Sequence, residues 1–156
     1  MDTAFSALIQ MQENQIIIDW RDVYAKPHRW AERWDYTLAL YGILHPWRDE
    51  VLYLGKADGT RVRIRWNADD KHERVWRRIE DERRIFKHSF IIGEFRLSEG
   101  RRLTRQLVSD IESLLIYEIN PWANTSNTGS RSYGRYDMTV FCQGDWPLKR
   151  KRFRDG

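Results

Sequence analysis

Cysteine is almost missing from this 156-residue chain, with Cys142 its single representative. One cysteine closes no internal disulfide and leaves no thiolate cluster for a metal. Long apolar runs are missing too. None approaches the ~18 to 20 residues that a membrane-spanning helix requires. The start of the chain lacks the basic flank and continuous apolar stretch of a secretory signal, so the cytoplasm is the expected compartment, with no membrane partner. No internal repeat or low-complexity segment is present. A large excess of charge of one sign is lacking as well, since the net charge is only +4.

What is there describes a globular chain. Hydrophobic residues make up 41% and charged residues 32%, a balance that argues against disorder. The length suits one domain with a real core. The distribution of charge says more than its sum. Residues 61 to 105 carry fourteen Lys/Arg against eight Asp/Glu, whereas residues 1 to 35 carry four against six. Arginine dominates the basic stretch, and its planar fork suits bidentate phosphate contact. A solvated basic face is the plainer alternative.

Periodicity divides the chain into three parts. Residues 1 to 35 read as an N-terminal accessory arm: Phe5, Leu8, Ile9 and Gln12 recur at helical spacing, Ile16 to Ile18 fit a strand or a helix entry, and Pro27 marks a boundary. Residues 36 to 130 read as the core. Tyr36 to Leu44 and Glu50 to Gly55 form a β-hairpin around a turn containing Pro46 and Asp49. Asp58 or Thr60 caps a short helix through Trp66, and Lys71 to Arg84 is a second helix. Phe86 to Leu97 is the third strand, being rich in aromatic and β-branched residues. Leu103, Leu107, Ile111, Leu114 and Leu115 trace a helix that ends before Pro121. Residues 131 to 156 read as a basic C-terminal extension, with a short edge strand at Met138 to Cys142. Strand, strand, helices, strand and helix in this order make the expected fold α/β (α+β) with an antiparallel sheet.

Four short signals then occur in order. They are Ala39-Leu40-Tyr41, Tyr53-Leu54-Gly55 with Lys56 following, Arg63 eight residues beyond Gly55, and Glu112 with Leu115-Ile116, Pro121 and Asn124. Singly, each has an ordinary reading. The tyrosines suit a cross-strand core pair, Gly55 a strand end with positive φ, and Glu112 the rim of an amphipathic helix. Together, in this order and spacing, they resemble the GIY-YIG nuclease family, whose members hydrolyse nucleic-acid phosphodiesters with one divalent metal ion, and the resemblance implies that family's small central antiparallel three-stranded sheet flanked by helices.

That resemblance implies roles. Tyr41 would orient or deprotonate the attacking water, which requires nearby cations such as Arg63 and Lys56 to lower a tyrosine pKa of about 10. Tyr53 would hold water or phosphate, and Arg63 would bind a non-bridging oxygen. Arg61 or Arg65 is the counterpart if the register slips by two residues. Glu112 would ligate a single Mg²⁺ or Mn²⁺, and Asn124 would support the following loop or contact the phosphate. Asn67 stands where the family often has a histidine, so His72 or Lys56 is the candidate replacement. DNA is the expected partner, with single-stranded DNA or RNA as alternatives. It would be bound by Arg61, Arg65, Arg74, Arg77 and Arg78, and by the aromatic and cationic run Arg131, Tyr133 and Arg135. The chain leaves little room for a separate DNA-binding domain, so a stand-alone, restriction-like enzyme is expected, with a homodimer as the form that would cut both strands. A catalytically silent nucleic-acid-binding module with the same fold is the alternative.

Overall fold

A computed structural model describes residues 14–68, 71–125 and 138–154. The proposed helix around Phe5 and the candidates Arg131, Tyr133 and Arg135 lie outside these residues. Six strands form one sheet: β1 (Gln15–Asp22), β2 (Leu38–Leu44), β3 (Val51–Asp58), β4 (Phe90–Leu97), β5 (Thr139–Gly144) and β6 (Arg152–Arg154), in the order β3-β2-β4-β1-β5-β6. The three-stranded sheet is therefore corrected. Its expected members, β2, β3 and β4, occupy one half, and strands from both flanking segments extend it. β1 pairs antiparallel with β4 and parallel with β5, so the sheet is mixed. β5, expected at an edge, lies between β1 and β6.

Helices cover both faces: α1 (Pro27–Trp30), α2 (Val62–Asn67), α3 (Lys71–Arg78) and α4 (Arg105–Ile119). On one face, Leu107, Val108, Ile111, Leu114 and Leu115 of α4 meet Ile16, Ile18, Leu40, Leu54 and Val140. On the other, Trp66, Trp76 and Ile79 cover Ala39, Tyr41, Ile43 and Ile92. Burial on both faces explains the unbroken apolar run of β2, because neither set of alternate side chains reaches water.

Local chemistry sets the helix ends. The Thr104 hydroxyl caps α4 by accepting from Leu107 N at 3.1 Å, and Asn120 closes it in the left-handed region at φ 52°. The expected cap by Asp58 or Thr60 is not the one used. Arg61 precedes α2 in an extended conformation, and no side chain caps that helix. Beyond Arg78 the chain widens into a π-turn, Ile79–Arg83, and stops at Arg84 with φ 57°.

A buried ion pair fastens the first strand to the hairpin half. Arg33, 3% exposed, reaches Asp19 Oδ2 at 2.8 Å and donates to the backbone oxygens of Asp19 and Ile92. Both terminal nitrogens of this guanidinium are thus bonded, which offsets much of the cost of taking it out of water, while its buried Nε has no partner among the described residues.

Candidate active site

Tyr41 lies mid-strand on β2, directly opposite Gly55 on β3. Its ring crosses the glycine so closely that a Cβ on residue 55 would sit 2.5 Å from the Tyr41 Cε2 atom. Gly55 is therefore required by close approach. Its place within β3, and its absence from the positive-φ glycines of the described residues, replace the strand-end explanation. Tyr53 lies on the same face, with its ring 6.5 Å from that of Tyr41 and 5.8 Å from that of Trp66. Trp66 meets Tyr41 edge-on at 5.6 Å, and Phe90 stacks on Tyr41 at 5.7 Å while touching Trp66 at 5.2 Å.

β3 is the terminal strand of the sheet, so groups from opposite faces can meet around it. Lys56 points toward α4. Its ammonium donates to Ser109 Oγ and sits 3.9 Å from Glu112 Oε1 and 3.8 Å from Asp58 Oδ2. From the other side come Lys71, with its Nζ 5.8 Å from the Tyr53 ring centroid, and Arg65. Arg65 and Lys71 both act electrostatically on Glu112. Among the described residues, Glu112 is the carboxylate around which these three cations gather.

Burial dominates the electrostatics here. The Glu112 side chain is 12% exposed. Desolvation raises its pKa from 4.5 to about 7, against the opposing pull of Lys56, Lys71 and Arg65. Desolvation also raises both tyrosine hydroxyls well above their usual value. Tyr53 and Glu112 add to the rise for Tyr41, and Arg65 opposes it. The expected lowering of Tyr41 by Arg63 and Lys56 is therefore corrected, because desolvation outweighs the neighbouring cations. The Tyr41 hydroxyl is buried and finds no hydrogen-bond partner among the described residues. Lys71 is shifted down, first by burial and then by Arg65.

The structure separates the three arginines of α2. Arg63 points outward, 54% exposed, and pairs with Asp35 at 3.3 Å. Arg61 is exposed at the helix entry. Arg65 is the one whose charge bears on Tyr41, Tyr53 and Glu112. Of the three, Arg65 is thus the one placed to act on Glu112, two residues beyond Arg63. The reason is geometric: residues two apart on a helix face in nearly opposite directions.

His72 stands apart from the tyrosines, edge-on to Trp66 at 5.1 Å and 6.5 Å from Trp76. Burial, then His88, lowers its pKa. Asn124 accepts from Leu54 N at 2.9 Å and donates to Leu54 O at 2.8 Å, so its amide ties the loop to β3 in the manner of a strand neighbour. Of its two expected roles, loop support is the one this geometry provides. Trp122, two residues earlier, lies under both Arg78 and Arg83, at 4.5 and 5.1 Å. Arg83 is fixed in turn by two hydrogen bonds to Glu50.

Lys71, Asp58 and Ser109 had no motif to mark them. The available signal for Lys71 was helical spacing, which places it on one face with Arg74 and Arg78. Among the described residues no group of three His, Cys, Asp or Glu side chains is placed to share a metal. A magnesium ion that keeps several waters needs only one or two carboxylates. Glu112, half-buried with Asp58 one lysine away, fits that demand.

No protein-family model, no curated protein and no solved structure matches this chain. Any functional reading thus rests on the residues themselves. No helix of the described residues is long and apolar enough to cross a membrane.

Proposed function

We propose that this chain is a divalent-metal-dependent endonuclease of the GIY-YIG type that hydrolyses phosphodiester bonds of DNA. The observation that carries the reading is Glu112: a half-buried carboxylate, its pKa raised to about 7, among Lys56, Lys71 and Arg65 and beside a packed tyrosine pair. Such a carboxylate gains from a hard cation, and the cations around it suit an anionic substrate.

In this reading Glu112 would hold Mg²⁺ or Mn²⁺, which supplies charge neutralisation on the phosphoryl oxygens. Arg65 binds a non-bridging phosphate oxygen, taking the role expected of Arg63. Tyr53 acts as a neutral hydroxyl donor that places water or phosphate, and Tyr41 does so once local opening uncovers its hydroxyl, since burial opposes the ionisation of both. Lys56 stands between Glu112 and Asp58 and balances their charge. Asn124 keeps β3 and the loop in register. By the family resemblance, the products carry a 5′-phosphate and a 3′-hydroxyl.

One observation favours the alternative of a silent binding module: the Tyr41 hydroxyl is fully buried, out of reach of a substrate oxygen without local opening. Supercoiled plasmid incubated with Mg²⁺, with Mn²⁺ or with EDTA, beside Glu112→Ala, separates the two readings. Metal-dependent nicking that disappears in the variant is the expected result. Salt-sensitive binding without cleavage under any metal would transfer the conclusion to the binding module.

A further inference from the structure

The Tyr53 site opens into a cleft of about 340 Å³ whose lining includes Lys71, Arg74, Arg78 and Asn124. Among the described residues, no carboxylate belongs to that lining. The three cations stand at i, i+3 and i+7 on α3, one face of the helix. Arg77 lies on another side, paired with Glu73 at 2.9 Å.

Two of these cations are held in place. Arg78 is fixed by Glu82 at 3.0 Å and by the Trp122 ring. Lys71 is half-buried over Tyr53. Arg74 is exposed, with no ion pair among the described residues. A row of three cations in which only Arg78 has an ion-pair partner among the described residues carries more positive charge than its acids balance, and an anion gains by binding along it. The row also ends at the tyrosine beside Glu112. A small anion would answer only one of these charges, whereas a polyanion with regularly spaced phosphates answers the row.

We infer that the Lys71–Arg74–Arg78 face of α3 binds the sugar–phosphate backbone of DNA and leads it to Tyr53. That this strand is the one cut rests on the nuclease reading; the binding itself does not.

The test measures affinity for a fluorescein-labelled DNA duplex against NaCl concentration in EDTA, for the wild type, Lys71→Gln/Arg74→Gln and Arg77→Gln. Each lost phosphate contact lowers the log–log salt slope by about 0.9. The double variant should therefore lose a slope of about 1.8, and Arg77→Gln much less. Arg74→Gln alone, at an exposed position, carries the test should the double variant fail to fold. An unchanged slope in Arg74→Gln, or an equal loss in Arg77→Gln, would overturn the assignment. Tighter binding of an RNA duplex would overturn the choice of DNA. Plasmid cleavage in Mg²⁺ keeps the two readings apart: slope loss without wild-type cleavage removes the nuclease reading alone, and cleavage with an unchanged slope removes the cleft alone.

Discussion

Replacing Glu112 by Gln should make the metal-free protein more stable at alkaline pH. The folded chain keeps the Glu112 proton up to about 7, whereas a carboxyl with the ordinary value of 4.5 releases it earlier. Between those values the folded state binds more protons than the unfolded state, so stability falls as pH rises. Above pH 7 the whole penalty is present. At roughly 1.4 kcal/mol per pKa unit it amounts to about 3 kcal/mol. Glutamine has nearly the same shape and never ionises, so it escapes this penalty. Urea unfolding in EDTA, followed by linear extrapolation, gives the quantity directly. The stability difference between Glu112→Gln and wild type should be about 3 kcal/mol more favourable to the variant at pH 8.5 than at pH 4.5. Comparing two pH values cancels any packing cost of the amide. Saturating Mg²⁺ at pH 8.5 should raise the wild type and leave the variant unmoved. A gap independent of pH would refute the reasoning, because Glu112 would then be as well solvated in the folded chain as in the unfolded one.

Three further outcomes follow from the same geometry. Arg65→Ala should lower plasmid cleavage on the order of 100-fold, as loss of a preorganised charge does, and Arg63→Ala should change it little; the reverse order in a nicking assay would restore the earlier register. Gly55→Ala forces its methyl into the Tyr41 ring and should cost about 1 to 3 kcal/mol in thermal or urea unfolding, whereas an unaltered midpoint would mean that the ring moves freely. Metal affinity should rise as pH increases through about 7, because Glu112 must first lose its proton; Mn²⁺ titrations at pH 6 and pH 8 that give the same Kd would exclude Glu112 as the ligand.

The parts legible in the sequence were those specified by nearby residues. The β2–β3 hairpin followed from two apolar runs with a polar turn between them, and α4 from leucines at helical spacing. The full sheet was not legible, because β1 finds its partners in β4 and β5, whose strands begin at Phe90 and Thr139. Nothing near Ile16 indicates those pairings. β6 is three residues long within a basic stretch, and only its contact with β5 makes it a strand. The two tyrosines and Gly55 meet across the hairpin, and Lys56 meets Glu112. Arg63 illustrates the weakness of fixed offsets. Because Arg61 remains extended and α2 begins at Val62, the direction of each arginine depends on the start of the helix rather than on its distance from Gly55. Lys71 escaped notice because spatial closeness to Tyr53, rather than any local pattern, gives it meaning.

The Asn124 amide has a consequence for assembly. A terminal strand with free peptide groups invites a second chain to add on and continue the ladder. Here Leu54 spends both its outward N–H and its C=O on one side chain, and the Leu52 carbonyl accepts from Ala123 N at 2.8 Å. The chain thus plugs its own β3 border with a loop. Two copies could not join there by strand addition without first unseating Asn124, so a dimer that cuts both strands of a duplex would have to form through another surface.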